Sequence, residues 1–163
     1  MIIGLRRENK NEWEKRTPII PDDIKSLIEK YGLRAIVQPS AIRAFKDSEY
    51  SAVGAEMDDD LTHADLIFGV KEIPLELILE NKTYVYFSHV IKGQPHNMPM
   101  LKTLMDKNCN LIDYERIVDE NNKRLIFFGR YAGKAGMIET LHAYAEKLRI
   151  LGIPNPLQKV KQP

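Results

Sequence analysis

The chain has 163 residues, with 24 Lys and Arg against 23 Asp and Glu, four His and one Cys. That length suits one domain with a core of its own, and the scattered, nearly cancelling charge excludes a nucleic-acid stripe or a polybasic membrane surface. A lone Cys109 excludes an internal disulfide, the histidines show no metal-ligand spacing, and no apolar stretch is long enough to span a bilayer. The N-terminal "MIIGLRRENK" has no secretory h-region, so the expectation is a cytoplasmic domain with a reduced thiol.

"IIGL" at 2–5 predicts a strand emptying into a polar loop, "RRENKNEWEKR", which closes at Thr17, Pro18 and Pro21. A helix should begin near Asp22, with Ile24, Leu27, Ile28 and Tyr31 at helical spacing and Gly32 as its stop. "RAIVQ" is a second strand, "KDSEYSAVG" a short helix, and "ADLIFGV" a third strand running into Lys71 and Glu72. "TYVYFSH" is the fourth strand, residues 98–107 a helix, "NLIDYE" the fifth strand and "RLIFFG", after the turn "DENNK", the sixth. From about Lys134 to Leu151, Met137, Leu141, Tyr144, Leu148 and Leu151 mark a long amphipathic helix ended by Gly152 and Pro154. Strands apolar on both faces, separated by helices, predict a three-layer α/β/α fold with a mainly parallel, flavodoxin-like sheet. Residues 1–152 would form the domain and 153–163 a tail or linker remnant.

Open parallel sheets bind ligands beyond the carboxyl ends of their strands. The residues delivered there are Arg6, Arg7, Lys10 and Arg16 after the first strand, Lys71 and Glu72 after the third, and His89 and Lys92 after the fourth. Glu115 follows the fifth, and Arg130 with Gly129, Gly133 and Gly136 follows the sixth. So many cations on one rim suit a small, multiply carboxylated ligand, while His89 and a partly desolvated Lys71 could exchange protons near neutrality. The glycines of "GRYAGKAG" fit neither the dinucleotide fingerprint nor the Walker loop; an anion at a helix N-terminus and close strand–helix packing both remain open for them. His63, His96 and His142 lack a strand-end position and read as structural, and Cys109 as a small buried residue.

The stretches "LRRENKNEWEKRTPIIP", "GVKEIP", "KTYVYFSHVIKGQ", "LIDYERIVD" and "FGRYAGKAGM" together resemble the N-terminal domain shared by alanine dehydrogenase, the proton-translocating transhydrogenase and the saccharopine dehydrogenases. Within that group the likeness is strongest to lysine–ketoglutarate reductase, which condenses lysine with 2-oxoglutarate to saccharopine. The resemblance implies acid–base roles for Lys71 and His89, with Glu72 and Glu115 as acidic neighbours that set their protonation. It also implies substrate contacts from Lys10, Arg16, Lys92 and Arg130, although Arg130 stands where an apolar or amide side chain is expected. NAD or NADP would be bound mainly by a Rossmann domain that this chain lacks, reached through the long last helix, so the chain alone should transfer no hydride. Two other readings stand beside this one: an alanine dehydrogenase-like domain, and a non-catalytic module that binds an amino or oxo acid.

Overall fold

The structure, a computed structural model, describes residues 1–159; the end of the expected tail lies outside the described residues. Met1–Arg124 forms one compact unit and the residues from Leu125 onward a second. In the first, β1 (Ile2–Leu5), α1 (Pro21–Tyr31), β2 (Arg34–Val37), α2 (Asp47–Ala52) and β3 (Glu56–Met57) come in chain order. β4 (Leu66–Phe68), β5 (Thr83–Tyr86), α3 (Met98–Asp106) and β6 (Asn110–Asp113) complete it.

All six strands pair in parallel, in the order β3-β2-β1-β4-β5-β6. Without the two-residue β3, the five longer strands follow the doubly wound 2-1-3-4-5 order, whose direction of winding reverses beside β1. The alternation of side chains along each strand divides the core between two faces. Ile3, Leu5, Ala35 and Val37 pack with Ile24 of α1 and Tyr50 of α2 on one face. Ile36, Ile67, Tyr84 and Tyr86 pack with Met100 and Leu104 of α3 on the other. Gly4 points into this second face, where an added Cβ would come within 2.9 Å of the Ala64 Cβ, so β1 and the approach to β4 close together only around glycine.

Local chemistry explains the helix limits. Pro21 occupies the first turn of α1, Asp22 and Asp23 complement its positive end, and Gly32, at φ 62°, closes it with its N–H on the Ile28 carbonyl. β3 escaped the sequence reading because two residues carry no periodicity.

The expected sixth strand does not form. Val118 and Arg124 make one antiparallel bridge, and the chain then passes without a strand into α4 (Gly129–Ile150). A four-residue apolar run does not by itself separate a strand from a helix approach. α4 therefore starts at Gly129, ahead of the expected Lys134, and encloses Gly133 and Gly136 within its own turns. Its interior contains one fully buried residue, Ala145.

Candidate active site

Because the sheet is parallel, β4, β5 and β6 discharge their chains on one rim. β4 leaves through Gly69 and Val70 to Lys71 and Glu72, β5 through Phe87 and Ser88 to His89, and β6 into Tyr114 and Glu115. Gly69 permits a close crossing: a Cβ there would sit 3.0 Å from Cδ of Arg6. The chain near His89 contains no acid, yet the fold brings two. His89 Nδ1 lies 3.4 Å from Glu115 Oε2, and its Nε2 lies 4.0 Å from Glu72 Oε1. Lys10 Nζ is 3.5 Å from the other Glu72 oxygen, and Arg124 Nη1 is 3.4 Å from the other Glu115 oxygen. The result is a row, Lys10–Glu72–His89–Glu115–Arg124, with the imidazole at its centre.

Enclosure is uneven along that row. The Glu72 and Glu115 side chains are 15% and 16% exposed, against 36% for His89. Both carboxylates are therefore more enclosed than the imidazole between them. Glu72 Oε2 is buried and accepts no hydrogen bond. The Phe87 ring stacks at 6.2 Å on the imidazole and packs edge-on against Tyr114. Burial pushes the Tyr114 phenol well above its ordinary range, so it stays neutral beside the row.

A second set of charges lies behind Lys71. The Glu8 carboxylate accepts the Val70 N–H at 2.7 Å and the Lys71 N–H at 3.0 Å, and Arg6 Nη1 is 3.6 Å from it. Burial raises the Glu8 carboxyl and lowers the Arg6 guanidinium, in each case outweighing the attraction between them. Next to them Arg16 forks onto Glu14, Nε to Oε1 at 2.7 Å and Nη2 to Oε2 at 2.5 Å. That fork holds the Glu14 carboxyl below its usual range, with a smaller contribution from the Lys71 ammonium, and Arg16 is raised in return.

Of the residues expected from sequence, Lys10, Glu72, His89 and Glu115 meet directly, while Arg16 pairs with Glu14 and Lys71 is held through its backbone N–H by Glu8. Lys92 is exposed in the turn beyond His89, and Arg130 is exposed in the first turn of α4, in the second unit. His96, set aside as structural, lines a cleft of about 460 Å³ together with Asn9, Lys10 and Glu72. Cys109 directs its thiol at the Leu79 carbonyl, 3.1 Å away. Glu8, Glu14, Asn97 and Arg124 were not singled out by sequence; only Glu14-x-Arg16 carried a local signal, an acid and an arginine close enough to pair within one loop.

Among the described residues no group of three His, Cys, Asp or Glu could hold a metal ion. The β1–α1 connection, where a dinucleotide's pyrophosphate would meet the sheet, contains no glycine and is occupied by the buried Arg6–Glu8 pair. A pyrophosphate does not fit there.

Residues 4–135 match the family described as alanine dehydrogenase/PNT, N-terminal domain. The chain is 44% identical over 155 residues to the mitochondrial alpha-aminoadipic semialdehyde synthase of Rattus norvegicus, covering 95% of itself and 17% of that protein. It is 31% identical over 139 residues to the NAD(+), L-lysine-forming saccharopine dehydrogenase of Yarrowia lipolytica, covering 82% of itself and 37% of the relative. Among solved structures an L-alanine dehydrogenase superposes with a TM-score of 0.64 at 23% identity, over 76% of this chain and 35% of that one. The fold described above is thus one shared with an L-alanine dehydrogenase. The chain belongs to the alanine dehydrogenase/PNT N-terminal domain family, and it spans only a small part of the length of its synthase relatives. No helix among the described residues is long and apolar enough to cross a membrane.

Proposed function

We propose that residues 1–152 form the substrate-binding and acid–base half of a cytoplasmic oxidoreductase that reductively condenses lysine with 2-oxoglutarate to saccharopine, or runs the reverse. The observation that carries this reading is His89 held between Glu72 and Glu115 on the rim that also presents Lys71. Condensing an amine with a keto acid needs protons delivered to the carbonyl oxygen and removed from the nitrogen by groups placed at the reacting centre. His89 and Lys71 exchange those protons. Glu72 and Glu115 stabilise the imidazolium whenever it forms, and the lysines and arginines bind the substrate carboxylates. Of these we assign Lys10 and Arg16, on the loop after β1, and Lys92, in the turn beyond His89.

A nicotinamide supplies hydride when bound, and we assign its binding mainly to a Rossmann domain outside this chain, reached through α4. On this reading the chain by itself oxidises no NADH or NADPH. Calorimetry with lysine, 2-oxoglutarate and saccharopine tests the assignment. Saccharopine should bind the chain, and His89→Gln or Lys71→Met should weaken it. Absence of heat with all three ligands at millimolar concentration would remove the substrate assignment.

A further inference from the structure

The acid–base groups at the strand ends are held by buried side chains that touch their backbone and not their reactive atoms. We propose that Glu8 and Asn97 are positioning residues, Glu8 for Lys71 and Asn97 for His89. The inference rests on the assignment of Lys71 and His89 made above and adds to it the means by which both are aimed.

At the end of β4 the ladder continues only in part. The Gly69 N–H reaches the Val85 carbonyl and the Phe87 N–H reaches the Val70 carbonyl, but the N–H groups of Val70 and Lys71 go to the two oxygens of Glu8. Two acceptors on one rigid carboxylate fix both the place and the tilt of the peptide that carries Lys71. The ionised acid does this best, because a protonated one is a weaker acceptor at the oxygen that carries the proton. Yet Glu8 is 7% exposed and Arg6, its counter-charge, 6%. The Arg6 Nη1 facing it makes no hydrogen bond, so the pair supplies charge balance and little bonding. Satisfying two backbone donors alone would not need a buried ion pair, since neutral acceptors serve in most proteins. A charged clamp at this place gives the residue after it a single orientation.

At the end of β5 the signal is conformational. Among the described residues four other than glycine have positive φ, and three of them are asparagines, which tolerate it. The fourth is His89, at φ 53°. An imidazole carried on left-handed backbone persists where neighbours hold it. Here the Asn97 amide, 5% exposed, donates to the Ser88 carbonyl at 3.2 Å and to the His89 carbonyl at 3.4 Å. Asp113 bonds the Ser88 hydroxyl and also accepts the Glu115 N–H, tying the same turn to the acid on the far side of the imidazole.

Competitive chemical labelling read by mass spectrometry tests this on the chain itself. In Glu8→Gln the Lys71 amine should react about tenfold faster with an acylating reagent, as expected when an aimed group loses its support. Lys102, exposed on α3, should keep its rate. In Asn97→Ala the His89 imidazole should react faster with diethyl pyrocarbonate while His63 does not change. Glu8→Asp, which keeps the charge but shortens the reach, is the second variant if Glu8→Gln does not fold, and it should move Lys71 in the same direction. Unchanged rates at Lys71 and His89 in folded variants, or an equal rise at every lysine and histidine, would overturn the proposal. Turnover of an enzyme carrying the same substitutions separates this from the parent reading. A fall in kcat with a steady KM supports the clamps, whereas full turnover in Lys71→Met would remove the acid–base assignment and leave the labelling result to judge the clamps alone.

Discussion

The rim of the first unit and the helix of the second respond in opposite ways to the same kind of sequence signal. Around the rim, charged residues that would ordinarily be solvated are enclosed, with Arg6, Glu8 and Glu14 all under a tenth exposed. Along α4, apolar residues at helical spacing stand in the open, with Tyr131 at 70%, Met137 at 62% and Tyr144 at 52% exposure. Spacing along a chain reports the element that will form. Enclosure depends on what other parts of the chain bring to it, and a parallel sheet brings several strand ends to one place whatever their distance in sequence. Charge on this rim is therefore better evidence of a site than apolar spacing on α4 is of a core.

The contrast fails first if the rim does no chemistry. In an enzyme that includes this chain and a dinucleotide domain, Lys71→Met and His89→Gln should each lower kcat by about 10²–10⁴-fold while the melting temperature holds. Steady-state kinetics at saturating substrate checks this, and unchanged turnover in both variants would reduce the rim to a charge network. The next effect is on stability. Glu8→Ala strands Arg6 as an uncompensated buried charge and frees two N–H groups, for a loss of about 3–5 kcal/mol in denaturant unfolding. Tyr131→Ser on α4 should stay within about 0.5 kcal/mol of wild type. Equal losses at the two positions would erase the difference between the regions.

Much of the fold was legible. Five strands, the three helices of the first unit and their parallel arrangement follow from short apolar runs, from helical spacing and from stops such as Gly32 and Gly54. The failure at "RLIFFG" has a physical cause: its run is as apolar as "TYVYF", but Arg124 makes a single bridge and no neighbouring strand continues the pairing. Within the site, residues that follow a strand directly were found, because the topology assigns them a place. Glu14 and Asn97 were not, since each acts from a loop or turn whose path no periodicity encodes, while Glu8, third after β1 as Lys71 is after β4, carries no sequence sign that it binds backbone. His89 illustrates both sides. Its position after β5 was readable, while its two carboxylates, 17 and 26 residues away in sequence, became visible only with the strand order.

The remaining expectations concern pH. Tyr84 lies in the core and accepts the Leu79 N–H at 2.7 Å; burial pushes its phenol to about 12. Its contribution to stability is complete below 10 and disappears as pH rises toward 12, so Tyr84→Phe should flatten the alkaline loss of stability. Melting temperature followed against pH in both proteins checks it, and an unchanged alkaline slope would mean that the phenol is reached by water.

The smallest effect, and the most specific to the rim, is a difference in sign between two nearby carboxyls whose ordinary value is 4.5. Glu14 is depressed by Arg16, so its contribution is present above 4.5 and is lost as pH falls through its folded value. Glu8 is raised by burial, so the folded chain keeps a proton in the window just above 4.5 and stability declines as pH rises through that window. Glu14→Gln should therefore make the acid side of the stability curve less steep, and Glu8→Gln should make it steeper. If both substitutions shift the slope the same way, Glu8 is ionised without penalty, and burial is not what distinguishes the clamp behind Lys71 from the open fork at Arg16.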